Sequence, residues 1–115
     1  MHLEKPWGSV RSYTMNQTSS VRMITIEAGQ ETSEHFHQLR DEMLVVLDDG
    51  VSVKVGDAVH VAKSGDEFVV PAEQVHRIIG GSSRGRVLEV AYGYTTEDDN
   101  HRVADNYGRP SEPEW

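Results

Sequence analysis

The 115-residue sequence contains no cysteine. A disulfide therefore cannot cross-link this fold, and no thiolate is available as a nucleophile or as a metal ligand. Any metal site must be built from nitrogen and oxygen donors. Long apolar runs are also missing: the longest, such as Met43 to Leu47, span only a few residues. Because a transmembrane helix needs about 20 apolar residues, we expect none.

Basic residues are scarce relative to acidic ones. There are 11 lysines and arginines against 19 aspartates and glutamates, which gives a formal net charge of −8. Such a surface repels phosphate backbones, so we expect no nucleic-acid partner. Met1 to Gly8 has neither an apolar signal core nor an Arg-rich amphipathic stretch, which favours a cytoplasmic location. The length is typical of one domain.

Sustained helical periodicity is absent, and short strand-like runs separated by turn residues take its place. Six or seven such runs recur roughly every eight to twelve residues, the pattern of an antiparallel sandwich or barrel. We predict one short helical turn over Thr96 to Val103, with Thr96 as its cap. The predicted strands are Val21 to Glu27, Met43 to Leu47, Val51 to Val55, Ala58 to Ala62, Glu67 to Val70, Val75 to Ile79 and Arg86 to Tyr92.

Three histidines and one glutamate follow a spacing that predicts a metal site. His35 and His37 are two residues apart, so both imidazoles project from one face of a strand. Glu42 follows a short turn and reaches the same point if the two strands form a hairpin. His76 lies on a distant strand and completes the set only if the sheet closes, as in a barrel of about eight strands.

The donor set predicts a divalent metal with positions left open to a substrate. Imidazole and carboxylate suit zinc, manganese, iron, cobalt and nickel, with zinc or manganese slightly preferred. A structural zinc site is instead closed, most often by thiolates. The alternative is histidines at chance spacing. A glycine before each half of the pattern and a proline in the second half argue against chance; these are Gly29, Gly65 and Pro71.

The segments around these four residues resemble the two signature motifs of the cupin superfamily, a small jelly-roll barrel with an internal metal. The second motif usually has Pro-x-Gly, whereas here Glu73 follows Pro71 and Ala72. The glycine that ends the first motif comes one residue late, at Gly50. Both departures affect turns and leave the ligands unchanged. The resemblance implies a single all-β cupin domain over residues 1–115. Its core spans about 20–93, and segments 1–19 and 94–115 pack outside the barrel.

A closer resemblance covers roughly residues 4 to 110. The chain is similar to the C-terminal isomerase domain of type II phosphomannose isomerases, the mannose-6-phosphate isomerases often fused to a guanylyltransferase. That family typically has glutamine at the position of His35, and His-His-Arg in place of Gln38-Leu39-Arg40. The matching residues and segments are Lys5-Pro-Trp-Gly-Ser9, Arg40, Glu42, Val75-His-Arg77, Leu88-Glu-Val90, Glu97-Asp-Asp99, Arg102 and Asp105-Asn-Tyr-Gly-Arg109.

The resemblance implies aldose–ketose isomerisation of a sugar phosphate, with a metal-stabilised enediolate and a general base that moves a proton. Glu89 is our candidate base because it interrupts an apolar strand and shares a face with Val87. The alternative is that Glu89 points outward. Lys5, Arg40 and Arg109 are candidates for binding the phosphate of a small anionic substrate.

Two other functions remain open from the sequence. Three histidines and a glutamate also suit a different cupin metalloenzyme, such as an iron-dependent dioxygenase. The domain could instead be a non-catalytic module that binds a sugar or a sugar nucleotide. We also expect a homodimer, because small cupins commonly pair through strands outside the barrel.

Overall fold

The computed structural model describes residues 1–96 and 98–106. Over these residues the chain forms strands joined by turns, and every strand pairing is antiparallel. The strands are β1 (His2–Lys5), β2 (Gly8–Arg11), β3 (Ser19–Ile26), β4 (Glu34–Phe36), β5 (Asp41–Val46), β6 (Ser52–Val55), β7 (Ala58–Val61), β8 (Glu67–Val70), β9 (His76–Ile79), β10 (Gly85–Tyr92) and β11 (His101–Ala104).

The strands form two main sheets and a separate hairpin. One sheet has four strands in the order β3-β10-β5-β8, the other has five in the order β11-β4-β9-β6-β7, and β1 pairs only with β2. The predicted antiparallel sandwich or barrel is confirmed. The seven predicted strands correspond to β3, β5, β6, β7, β8, β9 and β10, with ends that shift by a residue or two.

The core lies between the two sheets and follows from the alternation of side chains along each strand. Leu44, Val46 and Val87 face inward from the four-stranded sheet, where they pack with Val53 and Ile78 of the five-stranded sheet. Burying an aliphatic side chain of this size stabilises the fold by about 1.5–3 kcal/mol. This layer fixes the spacing of the sheets and therefore the width of the interior.

Three local features differ from the sequence expectation. The predicted helical turn at Thr96 to Val103 is wrong over its second half, where residues 101–104 form β11, whose pairing with β4 satisfies the backbone. In its first half the Asp99 amide donates to the Thr96 carbonyl at 3.3 Å, which closes one isolated turn. This strand joins the five-stranded sheet, although the sequence placed segment 94–115 outside the barrel. Strands β4 and β5 do not form a hairpin, since they belong to different sheets. Among the described residues, no helix is long and apolar enough to cross a membrane.

The two departures from the cupin motifs both fall at left-handed backbone positions. Gly50 has a φ of 91°, which glycine adopts without steric cost. Glu73, where the motif usually carries glycine, has a φ of 71°. A left-handed conformation costs an L-residue roughly 1–2 kcal/mol. The turn is retained because the Glu73 amide donates to the His37 carbonyl at 2.6 Å.

Candidate metal centre

The fold brings three predicted ligands from separate parts of the chain together. His35 lies in β4, His37 directly follows that strand, and His76 begins β9. His35 and His76 are directly opposite each other in the β4–β9 pairing. One ring nitrogen from each histidine lies within 4.8 Å of the other two, and His37 and His76 are buried. The sequence therefore identified a true spatial cluster.

Backbone carbonyls fix the tautomer of all three imidazoles. The Nδ1 atom of His35 donates to the Ser33 carbonyl at 2.8 Å, that of His37 to the Asp99 carbonyl at 2.5 Å, and that of His76 to the Gln74 carbonyl at 2.9 Å. Because a carbonyl oxygen only accepts, each Nδ1 carries the proton. In the neutral form of each ring, Nε2 is therefore left with a lone pair, the form in which histidine binds metals.

Glu42 enters the same site from the opposite sheet. It lies in β5 and is 1% exposed. Its Oε2 is 3.5 Å from His37 Nε2, and its Oε1 is 3.4 Å from His76 Nε2. Oε1 is buried and accepts no hydrogen bond within the described residues. A buried carboxylate oxygen without a donor is costly, and a cation between it and the imidazoles would remove that cost. The residues present thus fit a divalent metal.

Arg40 lies inside this site. Its side chain is 0% exposed, and its Nε donates to Glu42 Oε2 at 2.8 Å. One terminal nitrogen also donates to His37 Nε2 at 3.3 Å. Arg40 therefore holds Glu42 and occupies one imidazole lone pair. A metal bound to His37 would have to displace that second contact.

Burial and neighbouring charges set the ionisation of the site. Burial lowers the pKa of His35 to about 3, with a further contribution from His76, so this imidazole is neutral at physiological pH. Burial alone would raise the pKa of Glu42, but His76, His37 and Arg40 together lower it below its ordinary value. The site thus combines a neutral imidazole, that of His35, with an ionised carboxylate.

Glu89 faces the interior, on the same face of β10 as Val87. The outward alternative does not hold, since Glu89 is 5% exposed. Arg22, its neighbour on β3, donates to Glu89 Oε1 through Nε at 3.0 Å and through a second guanidinium nitrogen. The buried acid is therefore held by an ion pair.

The remaining two candidates lie elsewhere. Lys5 belongs to β1, every residue of which is exposed, and within the described part of the chain β1 pairs only with β2. Arg109 lies outside the described residues. The structure therefore brings together the four predicted ligands and Arg40, and it places Glu89 on the inner face of the same sheet as Glu42.

A cavity of about 290 Å³ is lined by both Glu89 and His35, one of the four candidate metal ligands. Among the described residues, two guanidinium groups and one carboxylate line it, so with His35 neutral these lining residues carry a charge of about +1. The lining residues are Arg22, Met23, Ile24, Thr32, Ser33, His35, Glu89, Asn100 and Arg102. An anionic ligand would be favoured there.

Sequence reasoning missed four residues at this site. Asp99 is buried and accepts from the amides of Gln38 and Leu39 at 2.7 and 2.9 Å, so it holds the loop after His37. Arg22 carried a usable signal, because it interrupts an apolar strand at an inward position. Arg102 belongs to the residues that carry the family resemblance, although the sequence assigned it no role. Asn100 carried no signal, because the segment around it was predicted as a helical turn. All but Asp99 line the cavity.

Comparison with solved structures shows the cupin fold. The chain superimposes on the cupin domain of Cnp3 from Schizosaccharomyces pombe with a TM-score of 0.62 and 15% identity. That match covers 72% of this chain and 61% of that one. An RmlC-like cupin from Shewanella frigidimarina gives a TM-score of 0.62 at 21% identity, with 70% of each chain covered.

Comparison with curated sequences places the chain in a family. It is 32% identical over 111 residues to the alginate biosynthesis protein AlgA of Pseudomonas aeruginosa, covering 95% of this chain and 23% of that protein. It is 33% identical over 107 residues to the xanthan biosynthesis protein XanB of Xanthomonas campestris pv. campestris, covering 91% and 23%. The chain thus spans about a quarter of the length of these relatives. The family model described as mannose-6-phosphate isomerase C-terminal matches residues 1–105. The chain therefore belongs to the family of mannose-6-phosphate isomerase C-terminal domains and has the cupin fold.

Proposed function

We propose that this domain is a metal-dependent sugar-phosphate isomerase that interconverts mannose 6-phosphate and fructose 6-phosphate. The observation that carries the proposal is the shared cavity. His35, one of the candidate metal ligands, and the inward carboxylate of Glu89 line the same space of about 290 Å³. A carboxylate base beside a metal centre is the pair of groups that aldose–ketose isomerisation needs. The family match supports the substrate.

His35, His37, His76 and Glu42 would hold the metal. Zinc and manganese are our preferred ions, since both accept imidazole and carboxylate donors. When bound, the ion supplies Lewis-acid polarisation of the substrate carbonyl and its neighbouring hydroxyl. The proton on each Nδ1 keeps each Nε2 available for the ion.

Glu89 would act as the general base that moves a proton between C1 and C2 of the sugar. Its burial limits its contact with bulk water, and its ion pair with Arg22 fixes the direction of the carboxylate. A proton that leaves C1 or C2 returns to the neighbouring carbon, while the hydroxyl proton passes between O2 and O1, so the base is regenerated in each turnover.

The positive lining of the cavity supports an anionic substrate. Lys5, Arg40 and Arg109 remain predictions as phosphate-binding residues. The contacts of Arg40 favour a role other than phosphate binding, because its guanidinium already donates to Glu42 and His37. We propose that Arg40 mainly orients the carboxylate ligand.

A coupled assay of mannose 6-phosphate turnover tests the proposal on protein loaded with zinc or manganese. We expect fructose 6-phosphate to form, EDTA to abolish its formation and added metal to restore it. Glu89→Gln should lower kcat by at least 100-fold, the usual contribution of a general base, with metal content unchanged. Oxygen uptake by the iron-loaded protein would indicate a dioxygenase instead. Saturable binding of the sugar phosphate without product would indicate a binding module.

We further propose that the domain forms a homodimer through its N-terminal hairpin. The outer face of the four-stranded sheet leaves Val21, Met23 and Val69 more than half exposed. Strands β1 and β2 are exposed along their whole length and carry Leu3, with Trp7 at their turn. An isolated two-stranded hairpin is marginal in water, and a large apolar face usually marks an interface. If the hairpin of a second copy packs on this sheet face, the contact both stabilises the hairpin and covers the apolar face.

Sedimentation equilibrium tests this interface. We expect a dimer of the 12.9 kDa chain and a monomer for Met23→Glu, which puts a charge in the centre of the proposed contact. Val61→Glu is the matched control, because Val61 is an exposed valine on β7 of the other sheet. A wild-type monomer, or equal disruption by both variants, would rule out this arrangement.

A further inference from the structure

Asn100 carries a buried side-chain amide that has no role as a metal ligand or in the proposed proton transfer. It directly precedes β11 and is 7% exposed. Its Oδ1 is buried and has no hydrogen-bond partner among residues 1–96 and 98–106. An unsatisfied buried acceptor costs about 1–3 kcal/mol, so a fold keeps one mainly where a ligand or an ordered water completes it.

Asn100 lies in the wall of the cavity described above. Asn100 lines the cavity that also contains His35 and Glu89. Two residues further on, Arg102 lines the same cavity, as expected for positions that share a face of a strand. Arg102 is directly opposite His35 in the β11–β4 pairing. An acceptor and a cation therefore enter the cavity from one strand, next to the metal centre.

We infer that Asn100 and Arg102 form a recognition subsite for a hydroxylated anion. Asn100 Oδ1 accepts a hydrogen bond from a ligand hydroxyl, and Arg102 binds the anionic group. This subsite rests on the proposed function, since it identifies residues that would select its substrate. A hexose 6-phosphate and a hexuronate share this chemistry, so both serve as probes.

The chemistry of Arg102 supports this assignment. Arg102 lines the cavity together with Asn100, and its planar guanidinium matches the oxygens of a phosphate or a carboxylate. A site whose buried polar groups are completed by a substrate hydroxyl also rejects analogues that lack this hydroxyl.

Calorimetric titration of the metal-loaded full chain tests the subsite without requiring turnover. The probes are mannose 6-phosphate, glucuronate, neutral mannose and inorganic phosphate. Asn100→Leu removes the amide at similar size. It should weaken the affinity for mannose 6-phosphate about tenfold and leave the affinity for inorganic phosphate unchanged. Arg102→Met should weaken mannose 6-phosphate and inorganic phosphate by tenfold or more and leave neutral mannose unchanged.

Two further variants separate binding from folding. Asn100→Asp keeps an acceptor and adds a charge, so it should bind neutral mannose like the wild type but weaken both sugar anions. Arg84→Met is the matched control, because Arg84 is an exposed arginine that pairs with Glu27. It should change no affinity. Thermal melts establish that each variant is folded.

The outcomes distinguish the subsite from the isomerase. Wild-type binding without turnover would overturn the isomerase and leave the subsite intact. Turnover with unchanged mannose 6-phosphate affinity in Asn100→Leu would overturn the subsite alone. A failure of both sugar anions to bind the wild type would also overturn it. Whichever sugar anion binds more tightly identifies whether the anionic group is a phosphate or a carboxylate.

Discussion

Replacing Glu42 by glutamine tests the electrostatics of the metal centre in metal-free protein. Glu42 is the carboxylate to which Arg40 donates, at 2.8 Å, and neither side chain is more than 1% exposed. Glutamine keeps the size of the side chain and removes its charge. The buried Arg40 guanidinium would then lose the carboxylate charge to which its Nε donates. Breaking a buried ion pair from one side costs about 3–5 kcal/mol.

That cost is large enough to measure directly. For a domain of this size, 1 kcal/mol corresponds to about 4 °C in Tm. We therefore expect Glu42→Gln to lower the Tm by about 12–20 °C in EDTA. Glu89→Gln is the comparison, because its partner Arg22 has a side chain that is 32% exposed and can be solvated. Glu89→Gln should lower the free energy of unfolding by only about 1–2 kcal/mol.

The double variant Arg40→Met/Glu42→Gln removes both charges of this buried ion pair. It leaves neither charge buried and should recover most of the loss, because a buried pair replaced as a whole is often neutral in stability. Urea or thermal unfolding in EDTA gives the free energies. Equal losses for Glu42→Gln and Glu89→Gln, or no recovery in the double variant, would refute the reasoning.

Three further predictions concern single positions. Glu73→Gly should stabilise the domain by about 1 kcal/mol, since it relieves the positive φ, whereas Glu73→Ala should give no such gain in a urea titration. His35→Gln should retain metal, because it restores the residue that type II phosphomannose isomerases carry there; complete metal loss in elemental analysis would contradict this. In EDTA, wild-type stability should fall by up to a few kcal/mol as the pH decreases from about 6.5 towards 3. Over that range the unfolded chain binds a proton at His35 and the folded chain, with its pKa near 3, does not. His35→Gln should flatten this pH profile. An unchanged slope would argue against His35 as the cause of the pH dependence.

The metal ligands could be predicted because their geometry is local or tied to turns. His35 and His37 share a face whether or not β4 extends to both, and glycine and proline punctuation placed His76 at the start of a strand. The route taken by Glu42 could not be predicted. A short turn between two strands usually indicates a hairpin, but here residues 37–40 cross from one sheet to the other.

The cavity wall was harder to foresee for a physical reason. Arg22 and Glu89 are 67 residues apart, and only the β3–β10 register makes them neighbours. Asn100 and Arg102 depend on β11, whose residues have weak strand propensity and are held by pairing with β4. Long-range pairing of this kind overrides the local sequence signal.

Metal content is the measurement that tests the central claim most directly. Elemental analysis of purified protein should give close to one divalent ion per wild-type chain and a large loss in His76→Ala, which removes the ligand from β9. His60→Ala, at an exposed histidine on β7, should keep the wild-type content. Unchanged metal in His76→Ala, or none in the wild type after incubation with zinc or manganese, would contradict the four-ligand centre.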